Sequence, residues 1–203
     1  MTHVAENVTF QVGEAQVTLP AKSVMRAWLD SLVTGAEPAA KQSTSTPRIG
    51  EIWAGQGGVY AGVMRGENGQ TDYHLIVPTH PDASVEEIAW GSADHDETGA
   101  KSEFDGWANT EALSCSRHAH PAAQWARSLS IDGHSDFYLP ARRELSLMYA
   151  NVPELFEKAW HWSSTQSASN SGFAWNQTFG DGGQTITRKS SEYRARAVRR
   201  LVP

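Results

Sequence analysis

The 203-residue chain has a single cysteine, Cys115. No intrachain disulfide can form, which argues against a small secreted domain stapled by disulfides and fits folding in a reducing cytoplasm. No uninterrupted apolar run approaches the roughly 18 residues that suggest a membrane span, so no membrane insertion is expected. The opening MTHVAENVTFQV lacks a basic stretch followed by an apolar core and does not read as a secretory signal. Positive charge is not in excess either. A net charge of −6 gives no overall reason to expect nucleic-acid binding. Internal repeats and heptads are also missing.

What is present fits a folded protein. A hydrophobic content of 39% and a charged content of 20% support one substantial core with a small appendage. Residues 7–20, NVTFQVGEAQVTLP, alternate in two runs around a glycine and predict a hairpin. AKSVMRAWLDSLV then places Val24, Trp28, Leu29 and Leu32 at helical spacing. EPAAKQSTSTPR follows as a linker, so residues 1–46 form an attachment or oligomerisation module and 47–203 the main domain.

In the main domain, strands are expected at 58–65 and 72–77, joined by the turn Gly66-Glu67-Asn68-Gly69. Residues 91–107 are acidic and polar and read as a long loop. Helices are predicted over 121–129, opened by Pro121, and over 141–150, with Leu145, Met148 and Tyr149 on one face. Further strands are expected at 159–163, 173–179, 184–188 and 193–201. Strands at both ends with two helices between them predict an α+β domain. Arg188, Lys189, Arg194, Arg196, Arg199 and Arg200 crowd the end of the chain, opposed there only by Glu192. They read as exposed cations with buried stems, or alternatively as a patch for an anionic ligand.

Six motifs occur in order: DGWANTEAL, HPAAQWARSL, GHSDFYLPARRELSLMYAN, WHWSST, GFAWNQTFGDG and YRARAVRR. Together, over about residues 48–203, they resemble a C-type-lectin-fold domain of phage and bacterial proteins, also found at the C-terminus of collagen-like bacterial adhesins. Fold relatives are the formylglycine-generating enzymes and the variable proteins of diversity-generating retroelements. The resemblance implies a twisted antiparallel sheet, two helices, and chain ends brought together. It also implies that Gly133 and Asp136 shape the strand before the second helix, and that Trp162 begins the ligand-facing sheet. Trp175 and Phe179 would point inward, and Arg196 would take the place of a family arginine near the chain end. Where many relatives next carry a cysteine, this chain has Ala197.

The formylglycine-generating chemistry needs a reactive cysteine pair, which one cysteine cannot supply. A hydrolase built on Cys115 with His118 or His120 would need an orienting acid that nothing in the sequence places. Calcium-dependent lectins use Glu-Pro-Asn or Gln-Pro-Asp and a later Trp-Asn-Asp. Here Trp175-Asn176 is followed by Gln177, and neither proline triplet occurs. No metal and no cofactor are therefore expected. Asp94 and Asp96 read as a solvated loop, and Asp132, His134 and Asp136 as a turn and strand entry.

WHWSSTQSASNSGFAWNQTFGDGG, residues 160–183, threads large aromatics through small polar residues. Alternation buries Trp162 and Trp175 as scaffold. It places His161, Gln166, Asn170, Asn176 and Thr178, with Gln184 and Arg188 beyond, on one exposed ligand-binding face. The resulting expectation is a non-enzymatic binding protein, a receptor-binding component of a phage or prophage. It would be located in the virion, or in the bacterial cytoplasm before lysis. Its expected partners are a host-surface glycan or protein, phage structural proteins through the N-terminal module, and copies of itself. The alternative is an accessory structural protein of the particle without ligand selectivity.

Overall fold

The computed structural model describes residues 7–12, 15–34, 46–93 and 95–203. The chain divides into two compact units, Met1–Thr44 and Ser45–Pro203. The linker expected at 37–48 falls mostly outside the described residues, as does Asp94.

In the first unit, β1 (Asn7–Val12) pairs antiparallel with β2 (Ala15–Pro20), in register from Asn7↔Pro20 to Val12↔Ala15. Thr9 and Thr18 face each other across the pair, with hydroxyls 3.0 Å apart. Helix α1 (Ala21–Thr34) follows directly. Leu29, one of the apolar residues at helical spacing, is 49% exposed, and Met25, one turn earlier, is 53% exposed.

The second unit is α+β, with two curled sheets. One has the order β11-β5-β4-β3, from β3 (Ile52–Trp53), β4 (Gly58–Met64), β5 (Tyr73–Pro78) and β11 (Arg199–Leu201). All of its pairings are antiparallel. Both ends of the unit enter this sheet, but as its two opposite edges, so the chain ends share a layer without being paired. The β4–β5 turn falls where Gly-Glu-Asn-Gly predicts it, with Asn68 and Gly69 both left-handed (φ 52° and 81°).

The other sheet has the order β6-β10-β7-β8-β9, from β6 (Ser84–Ala89), β7 (Trp160–Gln166), β8 (Phe173–Thr178), β9 (Gln184–Arg188) and β10 (Glu192–Arg196). The β10–β7 contact is parallel, through Arg194↔His161, and the rest is antiparallel. Strand β6 has no clear signal in the sequence, because its adjacent glutamates, Glu86 and Glu87, break the alternation.

Three helices pack on these sheets: α2 (Gly106–Ser114), α3 (Pro121–Ser128) and α4 (Arg142–Asn151). Two were expected. Helix α2 opens on a glycine and has almost no apolar face, so periodicity misses it. Its start is fixed by Asp105, whose Oδ1 accepts from the Ala108 N–H at 2.9 Å. One core gathers Trp90, Leu113, Ala126, Phe137, Leu139 and Trp162, and a second gathers Val59, Leu75, Tyr138, Leu145, Met148 and Phe179. Tyr138 pairs with Val198 outside the named strands.

Candidate functional site

The seven residues expected on one exposed face are split by the fold. Asn170 and Arg188 are exposed, Thr178 and Gln184 are half-buried, and His161, Gln166 and Asn176 are buried at 1–2% exposure. Register explains Asn176. It pairs with Trp162 across β7–β8, and directly opposed residues in an antiparallel pair share a face. Asn176 therefore lies on the core side with Trp162, where its amide donates to Thr187 Oγ1 at 2.8 Å.

Strand β7 lies in the interior of its sheet and is covered on both faces, so it has no outward set of residues. His161 packs edge-on against Phe156 and Phe179, with Nδ1 3.0 Å from the Ala159 carbonyl. Burial, with Arg194 and Arg196 adding to it, holds this imidazole down at about 4, so it is neutral near pH 7.

Gln166 is an anchor for the segment that follows β6. Its Oε1 accepts from Lys189 Nζ at 2.6 Å and from the Glu97 N–H at 2.8 Å, while Nε2 donates to Asp96. Lys189 is fully buried, donates also to the His95 carbonyl at 2.8 Å, and lies 4.6 Å above the Trp90 ring. Burial pulls its ammonium down to about 8, against the attraction of Glu97 and Asp96. Beside it, Nε2 of the buried His120 lies 3.0 Å from Glu97 Oε1. Burial lowers the His120 pKa even though Glu97 opposes it. Burial pushes Glu97 up, but its contacts with His120 and Ser116 leave it below the usual range. Neither ring nitrogen of His120 makes a well-formed hydrogen bond among the described residues, so the contact with Glu97 is one of proximity and charge.

The surface that does face outward comes from the other side of β8. Phe173↔Arg188, Trp175↔Ile186 and Gln177↔Gln184 are cross-strand pairs, so Phe173, Trp175, Ile186 and Arg188 form one strip, half-buried at the aromatics and exposed at the arginine. Trp175 was expected inside with Phe179. Only Phe179 is buried, because the chain leaves β8 at Thr178 and turns before it.

Arg142, at the start of α4, stacks its guanidinium 3.5 Å from the Trp175 ring centroid. Arg142 Nη1 donates to Glu103 at 2.8 Å and Nε to Gln184 Oε1 at 2.8 Å. Gln184 Nε2 in turn contacts Gln177 Oε1 at 2.7 Å and the Arg142 carbonyl at 3.0 Å. The result is a braced aromatic–guanidinium platform. Sequence reasoning missed Arg142 and Glu103. No local signal marks them, since their partners are some 40 residues away along the chain.

The terminal basic cluster is dispersed into separate contacts. Arg199 is buried and makes a two-pronged pair with Asp136, Arg200 pairs with Asp105 at 3.0 Å, and Arg194 reaches Glu86 at 3.4 Å. Arg196 Nη2 donates to the Pro78 carbonyl at 2.6 Å, and burial lowers its pKa. Asp136 is thus an ion-pair partner as well as a strand-entry residue. Asp132 and Gly133 form the turn of a hairpin closed by Ile131 and His134. Burial pushes Asp136 up, but the Arg199 fork outweighs it and leaves the carboxyl below its ordinary value.

Replacing Asp136 with asparagine should cost about 1–3 kcal/mol in urea unfolding at neutral pH, because Arg199 loses its counter-charge. The wild-type contribution is present above the ordinary carboxylate pKa and fades as pH falls through the depressed one, so the two unfolding midpoints should converge in acid. Midpoints equally far apart at low pH would show that the pair is not the cause.

Cys115 is exposed, with Sγ 3.7 Å from Glu111 Oε1. Among the described residues, no group of three His, Cys, Asp or Glu side chains is placed to hold a metal ion. No helix among them is long and apolar enough to cross a membrane. No family model matches the chain, and no curated protein matches it.

Proposed function

We propose that the chain is a non-enzymatic binding and display protein. Its second unit is read as a C-type-lectin-like domain that presents the Phe173–Trp175–Ile186–Arg188 strip to a host-surface glycan or protein. In this reading it is a receptor-binding component of a phage or prophage particle, attached and oligomerised through the N-terminal unit. The six ordered motifs and the α+β architecture support the domain assignment. The observation that carries the binding role is the strip itself. Half-exposed aromatics and an exposed arginine are the residue types that dominate binding energy at interfaces. Trp175 is also held rigid by Arg142, Glu103 and Gln184, which lowers the entropy lost on binding.

The test is capture of the full chain on a glycan panel and on host-envelope fractions. Arg188→Glu should weaken capture by about tenfold or more, while its stability changes by no more than about 0.5 kcal/mol. Capture unchanged in both Arg188→Glu and Trp175→Ala would remove the strip from the binding role. Burial of His161, Gln166 and Asn176 favours the second reading, an accessory structural protein of the particle, because in that case these polar groups serve the fold alone. A wild-type chain that captures nothing from either source would establish that alternative.

A further inference from the structure

A cleft of about 260 Å³ opens between the β4–β5 turn, the segment 102–105 and the end of β11. It shares no residue with the strip. Segment 102–105 serves both places: Glu103 braces Arg142, while its neighbours Ser102, Phe104 and Asp105 line the cleft. The volume lies just below the roughly 300 Å³ at which drug-sized ligands begin, so the space suits a single ring with substituents.

Both walls are already ordered. On one side, Gln70 N–H donates to the Glu67 carbonyl at 2.9 Å and Gly66 N–H to Asp72 Oδ1 at 2.9 Å. A side chain at Gly66 would put Cβ 2.0 Å from the Gln70 carbonyl oxygen, so this turn closes tightly only with glycine there. On the other side, Ser102 Oγ accepts from the Asp105 N–H at 2.9 Å and the Phe104 N–H at 3.2 Å. Arg200 is clamped between them. Its Nη1 donates to Asp105 at 3.0 Å, and its guanidinium lies 5.3 Å from the Tyr73 ring and 5.4 Å from the Trp107 ring.

The chemistry of the lining is specific. Arg65 and Arg200 are balanced by Glu67 and Asp105, so the cleft carries no net charge. The remaining N–H groups of Arg200, the second oxygen of Asp105, the Ser102 hydroxyl proton, and the side chains of Gln70 and Thr71 have no hydrogen-bond partner among the described residues. Donors and acceptors are thus interleaved around a small volume. An anion drawn to Arg200 would also meet the Asp105 carboxylate. An apolar ligand would strip water from these polar groups and return nothing.

We propose that this cleft is a binding site for one uncharged, polyhydroxylated ring, a single hexose-sized sugar unit. Each hydroxyl can both donate and accept, which matches the mixed lining. The preset walls and the clamped arginine let it bind with little ordering cost. The inference rests on the reading of the chain as a binding protein and adds a ligand class and a second place of contact.

The test is titration of the ¹⁵N-labelled full chain with N-acetylglucosamine, galactose and rhamnose, with acetate and inorganic phosphate as charged comparators. At least one sugar should shift the amides of Gly66, Gln70, Thr71, Ser102 and Asp105, with a millimolar dissociation constant. Gln70→Ala with Thr71→Ala, both on exposed positions, should weaken it about tenfold, as should Arg200→Lys, which keeps the charge but loses the planar fork. Should Arg200→Lys fail to fold, the exposed pair alone decides the matter.

Shifts with the anions only, or no shifts with any sugar, overturn the proposal. Sugar shifts confined to residues 173–188 also overturn it while leaving the strip standing. Shifts at the cleft alongside unchanged envelope capture in the strip variants would uphold the cleft and remove the strip.

Discussion

Trp162→Ala should destabilise the protein by about 3–5 kcal/mol and come close to abolishing folding, since domain stabilities are of the order of 5–15 kcal/mol in total. Trp162 has no exposed surface. Its ring meets Tyr193 edge-on at 5.0 Å, and its Nε1 donates to the Ile88 carbonyl at 2.9 Å. It thereby ties β7 to both β10 and β6, and truncation would leave a cavity in the first core and an unpaired carbonyl. Trp175→Ala should cost much less, about 1–2 kcal/mol, because the ring is half-exposed and loses mainly its stack with Arg142. Urea unfolding of both variants checks the contrast. Equal losses would mean that Trp175 is as much a part of the core as Trp162.

Glu144 should make the protein less stable as pH rises from 4.5 to about 7, by about 3 kcal/mol. Its carboxyl is fully buried, and among the described residues it forms no salt bridge. Burial raises it from 4.5 to about 7, and a smaller push comes from Asp105. Three donors oppose the rise: Tyr73 OH at 2.6 Å, Tyr138 OH at 2.7 Å and the Ala141 N–H at 2.6 Å. Tyr73 OH also lies 3.0 Å from the Phe104 carbonyl. It can therefore donate there and accept from the protonated carboxyl, which gives the neutral form a satisfied network.

Within this window the native state holds a proton that the unfolded chain has released. Its stabilising effect is complete below 4.5 and lost as pH passes through about 7. Glu144→Gln, a neutral isostere, should flatten this part of the profile and match or exceed wild-type stability above pH 7. Denaturant midpoints measured every half pH unit for both proteins decide it. Parallel profiles would show that Glu144 does not titrate in this range.

Much of the architecture was legible locally. Residues 7–20 alternate around a glycine and form a hairpin, Gly66 to Gly69 form a turn, and the strands near 58, 73, 160, 173 and 184 begin close to their predicted starts. Those features depend on neighbours in sequence, where propensity and period act directly. The single thiol, the absence of a long apolar run and the α+β class were likewise matters of composition and order.

Which side of a strand meets water was a different kind of fact. Alternation along β8 separates Trp175 from Asn176, but only pairing with Trp162 decides that Asn176 goes inward. In β7 the question of an outward face does not arise, because both sides are covered. The charges followed the same rule. The terminal basic residues, which read locally as exposed cations or as one patch, became separate contacts: Arg199, itself buried, forks onto Asp136 across 63 residues, and the buried Lys189 donates to the His95 carbonyl across 94. Local sequence determined where the chain bends and extends. Only the packing of distant segments decided which polar groups were removed from water, because desolvation depends on what covers a residue and not on what precedes it.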